Sequence, residues 1–261
     1  MDYELDGKIA IVTGGTSGIG LEIARLYAKG RAKVAITGRD EEKMAGVAKE
    51  LRGDGAEVLE IQADLANLPD MDRIIEETEN KLGPVDILIN NAGRSYPGDF
   101  FATEPALWEE ILKNRIVSPL YLTQKVLARM SERESGSVVF MGATVYREPI
   151  PENVMAAAAG GGILSATKAL SKLMAPKCIR INAVLLGQFD TPMLRRGFET
   201  YAKLHEITVE DAEKLRASQN PTGRLGDPTE AAQLAVFLSS DAASYMTGAL
   251  VPVDGGRGWS I

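Results

Sequence analysis

Residues able to do chemistry sit at a few points of this chain. Ile9-Ala-Ile-Val-Thr13 runs directly into Gly14-Gly-Thr16-Ser17-Gly18-Ile19-Gly20, and then into an amphipathic stretch from Leu21. A strand, a glycine turn and a helix N-terminus in that order form an anion site. Gly14 lets the chain turn sharply, Gly18 lets backbone approach a pyrophosphate, and Gly20 lets the helix pack on the strand. The free N–H groups and the helix dipole attract phosphate. Such a turn also serves as a plain tight connection, but its place in the first βα unit favours a dinucleotide. His205 is the only histidine and lies in a polar stretch, Tyr201 to Glu210, that reads as solvated. A Ser-His-Asp hydrolase is therefore not expected. Cys178 is alone, which excludes an internal disulfide and any metal cluster built on several cysteines; no metal site is expected.

These groups need a scaffold, and apolar runs of strand length alternate with amphipathic stretches of helix length. That alternation predicts an α/β fold: a Rossmann-type doubly wound parallel sheet of about seven strands with helices on both faces. The strands fall near Lys8–Thr13, Lys33–Thr37, Glu57–Ala63, Val85–Asn90, Ser137–Met141, Ile179–Leu185 and Leu250–Val253. Pro69 opens one helix, Pro228 with Glu230 opens the last, and Arg25 to Gly30 closes the first. Residues 1–261 read as one domain with no repeat or linker. The long strandless stretch Thr191 to Asp227 follows a strand end, where such sheets build their clefts, and is the candidate substrate lid. The net charge of −7, with scattered Lys and Arg, gives no footprint for nucleic acid. The N-terminal segment is acidic and no apolar stretch reads as reaching 18 residues, so a cytoplasmic protein without a membrane partner is expected.

Thr13-Gly14-x-x-x-Gly18-x-Gly20 with Asn90-Asn-Ala-Gly93 after the fourth strand resembles the short-chain dehydrogenase/reductase family, a 3-oxoacyl-reductase-like member in particular. Asp64-Leu65, Asn114, Ile179-Arg-Ile-Asn182, Asp190-Thr-Pro-Met193 and Asp254-Gly-Gly256 extend the likeness over nearly the whole chain. The resemblance implies a cofactor cleft lined by Gly14, Thr16, Ser17, Gly18, Ile19, Gly20, Asn91, Ala92, Gly93 and Gly187. Asp64, with Leu65 beside it, would meet the adenine, and Thr191 the nicotinamide carboxamide. It implies a small-molecule substrate and a homo-tetramer or homo-dimer. Asp64 could instead cap a turn, and Thr191 a helix. At the end of the second strand, where a carboxylate would bond a ribose 2′-hydroxyl, this chain has Gly38 and then Arg39. A guanidinium there suits a 2′-phosphate and favours NADP(H) over NAD(H), the alternative being a solvated arginine paired with Asp40.

Enzymes that this chain resembles use a Ser, and a Tyr and Lys spaced i, i+4 on one helix. That spacing sets an ammonium beside a phenol, lowers the phenol pKa and lets it pass a proton to the carbonyl oxygen. Lys168 in Ser165-Ala-Thr-Lys168 would put Leu164 at the tyrosine, but it lies only 11 residues before Ile179. Gly160 lies 19 before Ile179, as the family spacing requires, and Ala156 lies 13 after Ala143. The gap-free register therefore reads Ala143 for serine, Ala156 for tyrosine and Gly160 for lysine, leaving Asn114 of the usual four. Leu186 also replaces the usual proline before Gly187. Three readings follow. One is hydride transfer to or from a small carbonyl, alcohol or activated C=C substrate with a displaced acid, Tyr146 or Tyr96, and with Arg94 available for an anionic substrate. Another is a catalytically inactive NADP(H)-binding sensor or oligomer subunit. The last is a deliberately inactivated variant.

Overall fold

A computed structural model describes residues 3–93 and 100–259. Seven strands form one parallel sheet: β1 (Ile9–Thr13), β2 (Lys33–Gly38), β3 (Val58–Gln62), β4 (Ile87–Asn90), β5 (Gly136–Ala143), β6 (Ile179–Leu186) and β7 (Leu250–Val253). Their order is β3-β2-β1-β4-β5-β6-β7. All seven sequence-predicted strands are present, with no end shifted by more than two residues.

The parallel sheet is buried on both faces, which is why its strands read as continuous apolar runs. Side chains alternate across β1. Ala10 and Val12 join one core with Ile23, Tyr27 and Val236, while Ile11 joins the other with Ile74, Val126 and Ile163. The first core lies under α1 (Gly18–Lys29), α2 (Glu41–Gly53) and α9 (Pro228–Ser239). The second lies under α3 (Leu68–Lys81), α5 (Ser118–Arg133) and α6 (Val154–Met174). Pro69 stands in the first turn of α3, and a full capping box built on Asp227 and Glu230 opens α9.

Two expectations need correction. The sequence reads as one helix from about Ala106 to Met130, but α4 (Pro105–Leu112) is separated from α5 by a single π turn, Lys113–Val117. Pro119 explains it: proline has no N–H to give to the carbonyl four residues back, and its ring crowds that carbonyl, so the helix widens just ahead of it. The other concerns length. Val154–Lys177 is 24 residues long with a hydropathy of 1.2, apolar enough by length and composition to cross a bilayer. In the fold this helix lies against β5 and β6, with Ile163 and Met174 in the core.

The strandless stretch after β6 is largely helical. α7 (Pro192–His205) and α8 (Val209–Ser218) pack as a hairpin on their own small core of Phe198, Ala202 and Ala212. Its neck is closed where Phe189 pairs with Gly226, with Asp190 N–H donating to the Gly226 carbonyl at 2.9 Å.

Candidate active site

β1 hydrogen-bonds to β2 on one side and β4 on the other, so the connections leaving its two neighbours diverge and a crevice opens at the strands' C-terminal ends. The glycine turn forms one wall. Gly14 and Gly18 have φ of 66° and 53°, a region that costs glycine nothing. Gly20 is held to its size: a Cβ there would fall 2.3 Å from Asn91 Nδ2. The Ser17 side chain makes no capping hydrogen bond at the head of α1, and the first turn of α1 carries no acid. By contrast, Asp40, Thr208 and Asp227 cap α2, α8 and α9 with their own side chains. The start of α1 therefore keeps donors and positive dipole for an external anion.

The other wall is fastened to the first. Thr13 Oγ1 donates to the Ile89 carbonyl at 3.1 Å and accepts from the N–H groups of Asn91 and Ala92 at 2.9 and 3.0 Å. Asn91 Nδ2 donates to the carbonyls of Thr13 and Gly14. Gly93 follows this segment, and Arg94 and Tyr96 lie outside the described residues. Thr191 roofs the turn: a Cβ on Gly18 would lie 3.2 Å from its Cγ2. Thr191 also caps α7, accepting from Leu194 N–H at 3.3 Å. Gly187 lies against the Asp254 backbone, since a Cβ there would meet Asp254 Cα at 2.6 Å.

At the far end, Thr16 Cγ2 would lie 3.0 Å from a Cβ on Gly38. Arg39 is exposed, and among the described residues it has no ion pair. Asp40 does not pair it, because its Oδ1 accepts from Lys43 N–H at 3.0 Å to cap α2. Asp64 makes an Asx turn, Oδ1 accepting from Ala66 N–H at 2.9 Å, with Leu65 between them. The glycine turn, the unclaimed head of α1, and a guanidinium that Asp40 does not pair all fit a phosphorylated dinucleotide.

At the opposite end lie the positions at which the sequence register expects serine, tyrosine and lysine. Ala143 ends β5 beside Leu186, and Ala156 and Gly160 stand one turn apart on α6. The ring of Tyr146 fills the space over Gly160: a Cβ there would fall 2.2–2.3 Å from its Cγ, Cδ1 and Cε1. The ring's other edge faces Gly142, whose Cβ would lie 3.2 Å from Cδ2. Its hydroxyl accepts a hydrogen bond from Arg115 Nη1, and the guanidinium carbon sits 5.7 Å from the ring centroid. Burial pushes the Tyr146 phenol above its ordinary range, while the charge and hydrogen bond of Arg115 pull it down without overcoming burial. Asn114, in the π turn, donates to the Glu110 carbonyl at 3.0 Å.

Lys168 lies exposed two turns further along α6, its Cδ 3.7 Å from a Cβ placed on Gly248, near the start of β6 and β7. Leu164 is buried. His205 is exposed at the end of α7, its ring 4.1 Å from that of Tyr201. Sequence reasoning missed Arg115. Its signal was a charge four residues after buried Ile111, on the apolar face of an amphipathic helix.

Residues 14–257 match the family described as enoyl-(acyl carrier protein) reductase. The chain is 32% identical to a 3-oxoacyl-(acyl-carrier-protein) reductase of Aquifex aeolicus over 257 residues, 98% of this chain and 99% of that one. Identity to 2,5-dichloro-2,5-cyclohexadiene-1,4-diol dehydrogenase of Sphingobium indicum is 29%, covering 100% and 99%. Among solved structures, a variant of actinorhodin polyketide ketoreductase with NADPH superposes with TM-score 0.92 at 32% identity, covering 96% and 97%. The L-sorbose reductase of Gluconobacter frateurii, complexed with NADPH and L-sorbose, gives TM-score 0.93 at 26% identity, covering 98% of each chain.

Proposed function

We propose that this chain, which belongs to the short-chain dehydrogenase/reductase family, is an NADP(H)-dependent oxidoreductase of small carbonyl, alcohol or activated C=C substrates that uses Tyr146 in place of the usual Ser-Tyr-Lys set. The observation that carries this reading is the Tyr146 phenol, hydrogen-bonded to a guanidinium and packed on Gly160. It puts a proton donor and a cation together in the region where Ala143, Ala156 and Gly160 supply neither.

NADPH, when bound, supplies the hydride. The chain's own residues supply the rest. The turn from Gly14 to Gly20 and the head of α1 would hold the pyrophosphate, Arg39 the 2′-phosphate, Asp64 the adenine, and Thr191 the carboxamide. Tyr146 would give its proton to the substrate oxygen as negative charge develops there, and the same group would stabilise an enolate if hydride entered a conjugated C=C bond. The α7–α8 hairpin is proposed as the lid that excludes water.

The test is single-turnover mixing with NADPH over a carbonyl and enone panel, followed at the reduced-nicotinamide absorbance. Tyr146→Phe is expected to cut the rate by about 10²–10⁴-fold, the usual worth of a positioned acid, and to leave NADPH affinity unchanged. A second reading is a binding protein without turnover, favoured by the burial that raises the phenol pKa. Tight NADPH binding with no oxidation by any substrate would establish it and refute the first.

A further inference from the structure

The π turn brings into the site a residue that the sequence pattern did not single out. Arg115 reaches the hydroxyl of Tyr146 from Lys113–Val117, while β5 and α6 present Gly142 and Gly160 to the ring. These glycines carry no charge, and neighbouring Asn114 is neutral and bonded to the Glu110 carbonyl. Among the described residues, Arg115 is the charged group acting on this phenol. Arginine cannot be deprotonated in a protein and offers only donors. Its bond to Oη therefore uses an oxygen lone pair and leaves the phenol's own hydrogen free to point elsewhere.

We propose that Arg115 is the positioning residue of this site: it fixes the Tyr146 oxygen and stabilises the phenolate left when the proton departs. The inference rests on Tyr146 being the acid. In the step, the Oη–H bond breaks as an O–H bond forms on the substrate oxygen, the substrate carbon taking the hydride that a bound NADPH would supply. The phenolate remains against the guanidinium and regains its proton from water. A fixed cation beside the phenol is the function that an ammonium one helical turn away would serve. Here it comes from a different element, because the ring occupies the space above residue 160.

The experiment combines a spectroscopic and a kinetic readout. Protein labelled with 13Cζ-tyrosine is titrated by NMR without cofactor, the Tyr146 signal being assigned by its loss in Tyr146→Phe. Arg115→Met should move its midpoint upward by about one to three pH units, as expected on removing an opposite charge at close range. The alkaline limb of kcat should move with it, with KM nearly unchanged, and Arg115→Lys should restore most of both. Arg115→Gln keeps a donor of similar reach without charge and serves if the methionine variant does not fold. An unmoved Tyr146 signal and pH profile in the uncharged variants, with Tyr146→Phe inactive, would overturn the role of Arg115 alone. Undiminished turnover in Tyr146→Phe would overturn the acid assignment and this inference with it.

Discussion

Gly160→Ala should destabilise the protein, although glycine-to-alanine changes inside helices ordinarily do the reverse. At an unobstructed helical site the change is worth about 0.5–1 kcal/mol in favour of alanine, through backbone entropy. Gly161, the next residue on α6, is such a site: the nearest atom to its Cβ would be the Tyr146 carbonyl oxygen at 3.8 Å, an ordinary contact. Gly160 is not, because its Cβ would fall 2.2 Å from ring carbons where contact normally begins at 3.4 Å. The ring would have to withdraw by roughly 1 Å, yet its far edge faces Gly142 and its hydroxyl is tied to Arg115. Overpacking of this kind costs about 1–3 kcal/mol, and disturbing a charged hydrogen bond adds to it. Set against the helix gain, a net loss of about 2 kcal/mol follows, or a fall in Tm of about 4–8 °C for a chain of this size. Denaturant titration with an unchanged m-value is the second measure. Gly161→Ala should instead gain about 0.5–1 kcal/mol. If both variants stabilise alike, the ring does not lie on Gly160 and the reading of the site fails.

Three further outcomes are expected. Arg39→Ala should weaken NADPH binding by about 10–100-fold and leave NADH binding unchanged, as loss of a charge-assisted bond to a 2′-phosphate would do; calorimetric titration checks it, and equal losses for both cofactors would exclude that role. Thr13→Val should cost about 1–3 kcal/mol of stability, because the N–H groups of Asn91 and Ala92 lose their shared acceptor in a confined place, and chemical denaturation measures it. Glu230 accepts from Asp227 N–H and two Arg224 nitrogens, which holds its carboxyl at about 2. A depressed carboxyl pKa stabilises the fold above its ordinary value, and the contribution is lost as pH falls from about 4.5 toward 2. Since the side chain is 44% exposed, the worth at pH 7 is discounted to about 1 kcal/mol, so Glu230→Gln should be less stable by that amount at pH 7 and indistinguishable near pH 2.

The fold was legible because its signals are local and periodic. Each strand is an apolar run bounded by turn residues, and the helix starts at Pro69 and Asp227 carry their own capping chemistry. The glycine turn was legible for the same reason, since its residues are adjacent in the chain. Strand order was not readable from local pattern, and the π turn was missed because the disturbance at Pro119 shows itself two residues upstream. The pairing of α7 with α8, the proposed lid, was not readable from either segment alone: among the described residues they bury only Phe198, Ala202 and Ala212, and that small core forms between the two helices. Arg115 and Tyr146 are 31 residues apart, so their meeting depends on how β5 and the π turn cross, which no local spacing encodes.

The packing at residue 160 also bears on which side chains that position can hold. On this backbone, any side chain at 160 and the ring of Tyr146 compete for one space, because even a single methyl would overlap three ring carbons. Replacing a lysine by glycine merely to silence an enzyme would leave a cavity, and cavities of side-chain size cost about 2–5 kcal/mol. Here the space is filled, the filling group is bonded to a cation, and the π turn supplies that cation. On the proposed register, installing the family's serine, tyrosine and lysine takes four changes rather than three: Ala143→Ser, Ala156→Tyr and Gly160→Lys would have to be joined by Tyr146→Gly. The triple variant without the fourth change should unfold well below the parent Tm in a thermal scan. The quadruple variant should recover much of that loss, since the lysine stem would then occupy the volume that the tyrosine ring gives up.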